Sequence, residues 1–347
     1  MIYIFGWGAV YYTLLFSAIT SYRGRVLGYF AIFLLAGISI LRGRTGTDTA
    51  TYEFILSELS LNQIWGNIEP GFAVVALLLT ELTGSAEIGV RAVSVLFFLL
   101  AVFYYHRANK NEAYIFLAYY APAYFYLYSM NTIRTGIASI ILLIAFQDLT
   151  RVRTFRAYII SILAVFFHYA SIILIGYLIA NLINKFRTLL VIFFGLFILS
   201  VLYFAQEYLL LKLIYYSNFD APSSISGLSI IGVIFILTAG VMQSNLPFFL
   251  KARLVVMTII LLVLSIFITT FSYAGLRLLD LIAFGLPLSV LVMYSKVELT
   301  LNLQMKCSFL LAGLASAVGT YRNFLLDFGQ GSSPFLPYTL LDKVNLF

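Results

Sequence analysis

A polytopic bundle of membrane-spanning α-helices, all-α in class, is what this sequence predicts, and three observations predict it. The chain of 347 residues is 62% hydrophobic and only 10% charged, and its mean hydropathy of +1.01 exceeds what a water-covered surface sustains. Apolar runs near the roughly 20 residues that cross a bilayer as a helix recur along the whole length. Those runs lack the strict alternation that a membrane barrel strand needs.

The elements follow in order. The first run, residues 2–20, has no basic start and no small-residue cleavage site, so it reads as a retained span. Further segments are expected over 26–41, 70–83, 88–105, 113–129, 135–149, 158–181, 189–206, 227–243, 254–272, 276–294 and 307–320. That makes about 10–12 membrane segments in a single transmembrane domain, 1–347. The polar-leaning pieces 42–69, 207–226 and the tail 321–347 are each too short for a core of their own. No internal repeat is visible.

Topology follows from the basic residues. Clusters without matching acids fall at Arg23/Arg25, Arg107/Lys110, Arg151/Arg153/Arg156, Lys185/Arg187, Lys251/Arg253 and Lys296/Lys306, and the positive-inside rule sends them to the cytoplasm. Crossing parity then fails twice: three segments separate Arg25 from Arg107, and one separates Arg156 from Lys185. Each gap must hold a segment that does not cross. The stretch EPGFAVVALLLTEL (69–82) and the run 158–181, with His168 at its middle, are the candidates for re-entrant or interfacial pieces, which membranes tolerate when protein or water covers them. The N-terminus, the loop 42–69 with its amphipathic helix, the turn 129–134, the loop 207–226, the turn near Arg277 and the tail 321–347 then face outward.

Several function classes are excluded. The net charge of +7 is spread over short loops, so it reports topology and anionic lipid, and no nucleic-acid partner is expected. Cys307 is the single cysteine, which rules out a disulfide framework within one chain. HExxH, GxSxG, a Walker loop and paired acids at DxD spacing are all absent. No metal and no cofactor is expected.

The polar groups of the outer half carry the argument, because charge at membrane depth is costly and marks pairing, water or work. In RGRTGTDTATYEFI (42–55), Gly43 and Gly46 free the backbone to turn and approach a ligand, while Asp48 or Thr49 caps a helix with Tyr52, Ile55, Leu56 and Leu59 on one face. Capping does not account for Arg42 and Arg44, which stand in a loop with four acids, Asp48, Glu53, Glu58 and Glu69. An anion does. Arg134, in SMNTIRTGIAS, sits at the start of a span, where a guanidinium and a helix N-terminus both favour a phosphate or carboxylate; snorkelling to the interface is the alternative. His168, in AVFFHYAS, is a hydrogen-bonded core group or a site base. Arg277 and Asp280, three apart, form a local ion pair or a second anion clamp. Arg322 opens the tail. The 25 tyrosines and 32 phenylalanines are largely what aromatic belts at the two interfaces predict.

The order RGRTGTDTATY, EPGFAVVALL, IRTGIA, FFHYASIIL, over residues 42–178, resembles the EpsG-type family of bacterial polysaccharide polymerases, related in role to the Wzy polymerases. Thr135 stands where such proteins often carry a glutamine after the arginine. The resemblance implies a glycosyltransferase of the bacterial cytoplasmic (inner) membrane. It would join polyprenyl-diphosphate-linked (undecaprenyl-diphosphate-type) oligosaccharide repeat units into a surface polysaccharide, an O-antigen, capsule or exopolysaccharide, at the outer face. The lipid-linked oligosaccharide and membrane lipid would be its partners, with a polysaccharide chain-length regulator a further candidate. Displacement at an anomeric carbon would release a lipid diphosphate, whose charge Arg44, Arg134 and Arg277, with Arg322 ranked after them, would stabilise. His168, Asp48 and Glu69, in that order, are candidates for the base that the acceptor hydroxyl needs.

Two other classes compete. A flippase for lipid-linked oligosaccharide predicts repeat symmetry between halves, and none is visible. A membrane acyltransferase predicts a cytoplasmic donor site, whereas the unusual polar groups face outward. A glycan ligase, chemically close to the polymerase, is expected to carry a larger external loop than any found here.

Overall fold

The computed structural model describes residues 2–19, 24–59, 68–151, 153–181, 226–326 and 332–341, with scattered helical positions between 188 and 206. Among the described residues the chain is helical, and its single β feature is an isolated antiparallel bridge between Arg42 and Leu340. The expected span 189–206 and the loop 207–226 fall largely outside the described residues, as do Arg23, Lys185 and Arg187. The chain divides into two compact units: Met1–Asp148 with Arg153–Tyr169 and Ser316–Phe347, and Leu149–Val152 with Ala170–Ala315.

In the first unit α1 (Ile2–Ile19) packs along α2 (Gly24–Ile40), and α2 packs along α5 (Ala86–Arg107). Between them the loop from Arg42 leads into α3 (Thr49–Glu58), which lies on α5 and buries Thr49, Tyr52, Glu53 and Leu56. The 14-residue α4 (Pro70–Thr83) is short for a span, at about 21 Å by helical rise. It packs on α5 and on α9 (Thr154–Phe167).

The expected helix 113–129 starts earlier and is not uniform. It comprises α6 (Lys110–Ile115), opened by an Asn109/Glu112 capping box, a π turn Phe116–Tyr120, α7 (Ala121–Tyr126) and a second π turn Leu127–Asn131. From Ile115 to Met130 every residue except Leu127 is buried. After Thr132 the chain restarts as α8 (Ile133–Thr150), whose apolar face is nearly all internal. The expected run 158–181 breaks after Phe167: His168 is extended (φ −160°, ψ 114°), and a new helix, α10 (Ser171–Asn181), begins three residues later.

The second unit holds α10, α11 (Leu228–Met242), α12 (Phe248–Thr269), α13 (Ala274–Lys296) and the first part of α14 (Leu303–Phe324). Its centre is α13, against which α10, α11 and α12 pack. Ile234, Leu262, Leu278, Leu279, Ile282 and Ala283 form its apolar core. Tyr177 of α10 and Thr258 of α12 share a buried hydrogen bond of 2.9 Å. Four helices, Ala86–Arg107, Ile133–Thr150, Phe248–Thr269 and Ala274–Lys296, are long and apolar enough to cross a bilayer. The chain is a multi-pass membrane helical bundle.

Candidate functional site

Glu69 is the hub. It precedes α4 with extended backbone, and Pro70 occupies the first helical position, where its missing N–H leaves nothing unsatisfied. The Glu69 side chain is 4% exposed and uses both oxygens: Oε2 accepts from Arg134 Nη1 at 2.6 Å, and Oε1 lies 2.9 Å from Nδ1 of His168. Three of the residues singled out in the sequence, 65 and 99 positions from Glu69 at the furthest, therefore meet in one constellation.

The approach depends on Gly71. A Cβ there would stand 2.9 Å from the Phe166 carbonyl oxygen, so α4 and α9 meet backbone to backbone. Because α9 ends at Phe167, the next residue, His168, is delivered to the start of α4. Arg134 comes from the first turn of α8, and its guanidinium lies 5.9 Å from the centre of the Tyr52 ring. Tyr52 is itself buried on α3.

Burial alone would raise the Glu69 pKa, but the hydrogen bond with His168 and the charge of Arg134 outweigh it and hold the carboxyl down to about 2. Glu69 is thus an anion throughout the neutral range and a weak proton acceptor. If the His168 hydrogen sits on Nδ1, facing the carboxylate, Nε2 keeps a free lone pair.

A second constellation holds the loop 42–49. Arg42 is fully buried, with Nη1 donating to the Ser39 carbonyl and, at 3.1 Å, to Ser94 Oγ, and Nη2 donating to the Met130 carbonyl at 3.2 Å. Arg91 of α5, 3% exposed, donates to the carbonyls of Arg42 (3.3 Å), Gly43 (2.9 Å) and Glu87 (2.8 Å), and pairs with Glu53. The other Glu53 oxygen accepts from Arg44 Nε at 3.0 Å, and the Arg44 side chain is 73% exposed. Of the two loop arginines only Arg44 is presented at the surface, because the donors of Arg42 are turned inward onto carbonyls.

Three expectations are corrected. Asp48 occupies the N-cap of α3, but its side chain makes no capping hydrogen bond; Thr47 Oγ1 stands 2.9 Å from its Oδ1, and its backbone N–H donates to Asn131 Oδ1 at 3.0 Å. Gly43 is approached by the C-terminal segment, with Leu340 O and Thr339 Oγ1 2.8 and 2.9 Å from the position of a Cβ. The clusters Arg107/Lys110 and Arg151/Arg153/Arg156, read as lacking matching acids, do have one between them. Asp148, fully buried at the end of α8, lies 2.5 Å from Arg107 Nη2 and 3.0 Å from Arg156 Nε.

The remaining candidates lie elsewhere. Arg277 is exposed and Asp280 half-buried on α13 of the second unit, and no ion pair joins them among the described residues. Arg322 is exposed in the last turn of α14. No group of three or more His, Cys, Asp or Glu is placed to hold a metal ion among the described residues. Sequence reasoning missed Arg91, although a lone arginine inside the apolar run 88–105 was signal enough. It also missed Tyr52 as the neighbour of Arg134.

The family model described as the EpsG family matches residues 25–340. The chain belongs to the EpsG family. Membership brings with it a polysaccharide-polymerase-like function in a membrane. The EpsG match takes in both constellations and nearly the whole of both units. No curated protein and no solved structure matches the chain.

Proposed function

We propose that this EpsG-family protein is a metal-independent polymerase that transfers a growing glycan from one polyprenyl diphosphate to the repeat unit on another at the outer face of the bacterial cytoplasmic membrane. The observation that carries this reading is the buried Glu69 carboxylate bridging His168 and Arg134. Such an arrangement supplies the two things the transfer needs. An imidazole oriented through Nδ1 offers Nε2 to the acceptor hydroxyl, and a guanidinium at a helix N-terminus sits where a leaving diphosphate gathers charge.

In this scheme the acceptor oxygen attacks the anomeric carbon and its proton passes to His168 Nε2. The bond from that carbon to the diphosphate oxygen breaks, and polyprenyl diphosphate leaves with both bonding electrons. Arg134 and the exposed Arg44 face the leaving group. Glu69 orients His168 and balances Arg134. Its low pKa makes it the poorer base, and Asp48 ranks behind His168 because, among the described residues, no hydrogen bond ties it to a second site group. Arg42 and Arg91 hold the loop that carries Arg44. Arg277, Asp280 and Arg322 remain candidates for a second contact with the lipid-linked substrate.

Purified protein is incubated with a synthetic polyprenyl-diphosphate repeat unit, without metal or nucleotide, beside His168→Ala and Arg134→Ala. A ladder of longer glycans from the native enzyme alone is expected. Substrate that stays unextended yet crosses proteoliposome bilayers would sink the polymerase reading in favour of a flippase.

A further inference from the structure

We propose that the C-terminal segment 332–341 is a positioning strap for the arginine loop 41–46 and stays seated on it throughout turnover. The inference rests on the reading of Arg44 as a substrate contact. It starts from a local oddity: among the described residues, which are otherwise helical, the one place where two extended segments pair is here. Gly43 N–H donates to the Thr339 carbonyl at 2.8 Å, Leu341 N–H to the Leu41 carbonyl at 2.9 Å, and Gly46 N–H to the Pro334 carbonyl at 2.8 Å. Thr45 Oγ1 and Thr339 Oγ1 are 3.1 Å apart, and Tyr338 OH donates to the Ile38 carbonyl at 2.7 Å.

The strap is itself anchored. Phe335 is 3% exposed and stacks on Phe324 with ring centres 4.2 Å apart, while Tyr3 OH donates to its carbonyl. Ser333 Oγ donates to the Phe324 carbonyl and accepts from the N–H groups of Phe335 and Leu336. The loop is thus bracketed on both sides: Arg91 binds the carbonyls of Arg42 and Gly43, the Arg42 side chain is itself tied inward to the Ser39 and Met130 carbonyls, and the strap takes the N–H groups of Gly43 and Gly46. A glycine-containing loop samples many conformations unless its backbone is tied, so this bracketing determines where Arg44 projects. The strap's hydrogen bonds go to the loop's backbone and to Thr45, and the Arg44 guanidinium stays at the surface on Glu53.

The test places cysteines at Thr45 and Thr339 in a Cys307→Ser background, since side chains whose γ atoms touch across the two segments are within reach of a sulfur–sulfur bond while the strap is seated. Mild oxidation in native membranes, read by mass mapping of linked peptides, is expected to link them without substrate. The linked enzyme should elongate glycan as fast as its reduced form. Absence of the link, or elongation that stops on linking and returns on reduction, overturns the proposal. The link is read without substrate, so its absence counts against the strap alone, whereas failure of the unlinked native enzyme to elongate counts against the polymerase reading.

A second variant separates positioning from bulk stability. In Gly43→Ala the new methyl meets the strap's backbone, and KM for the lipid-linked substrate should rise roughly ten- to a hundredfold, the scale on which a ~1 Å misplacement acts. In an Arg44→Ala background the same substitution should cost little more, because both changes remove one contact. Independent, multiplying losses would reduce the strap to a structural role and overturn the inference.

Discussion

Replacing Glu69 by Gln isolates what the bridging carboxylate contributes. The variant keeps the shape of the side chain but gives it one acceptor oxygen and a donor NH2 group, so it can accept from Arg134 or from His168 and not from both. Whichever way the amide turns, one partner faces another donor. If Arg134 keeps the oxygen, His168 must present its lone pair at Nδ1 and carry hydrogen on Nε2, the wrong tautomer for a base. Removing the carboxylate that orients a catalytic histidine costs about 10⁴ in kcat in the serine-protease arrangement, and general-base catalysis as a whole contributes about 10²–10⁴. Glycan elongation by Glu69→Gln should therefore fall by about 10²–10⁴ in kcat, with KM changed far less. Single-turnover elongation of a fluorescent repeat unit by purified native and variant enzyme measures it. A variant whose kcat stays within about threefold of native would refute the orienting role, since that is under 1 kcal/mol of barrier.

Further outcomes follow from the same geometry. Because the Glu69 pKa is depressed to about 2, its ionisation stabilises the fold by about 3 kcal/mol above pH ~4.3. The thermal-stability gap between native and Glu69→Gln should thus be constant at neutral pH and close as pH falls from ~4.3 through about 2; a gap independent of pH down to that point would contradict the shift. Gly71→Ala forces apart α4 and α9 at Phe166 and should lower kcat while leaving the amount of folded protein in the membrane near native, as fluorescence-detected size exclusion would report. Arg91→Ala leaves Glu53 buried without its main partner and should destabilise the protein by about 3–5 kcal/mol, read as a lowered melting temperature. Arg91→Lys, able to pair with Glu53 but not to fork across the Arg42 and Gly43 carbonyls, should recover only part of that.

Much of the bundle was legible in the apolar runs, because a segment that must bury or face lipid all round announces itself by length alone. Counting crossings marked 69–82 and the run around His168 as pieces that do not cross, and the helix does break at His168. His168, Glu69 and Arg134 stood out because each is a charge or a base where membrane chemistry penalises one. That a single carboxylate joins them was not legible: the contact depends on Gly71 letting two short helices touch. The pairing of Gly43 with Thr339 carries no local signature, since its partners are nearly 300 positions apart and a two-residue ladder leaves no alternating pattern. Asp148 escaped for a related reason. It was not singled out at all, and only helix packing brings it to Arg107 and Arg156. The two π turns were invisible because an extra residue per turn leaves an all-apolar, aromatic run looking the same.

The two ends of α8 are charged against its own dipole. The helix carries a cation, Arg134, in its first turn and an anion, Asp148, in its last, each at the end where aligned peptide dipoles oppose it by about 0.3–1 kcal/mol. Neither charge can therefore be there to steady the helix. Each is tolerated only through an outside counter-charge, Glu69 at one end and the Arg107–Arg156 pair at the other. At the Arg134 end the dipole and the guanidinium add, and one carboxylate shared with His168 faces both. An arriving phosphate would compete with Glu69 for the same arginine, and each time it won, the carboxylate would be left to His168 alone, strengthening the hold on the imidazole at the moment a proton has to be taken up.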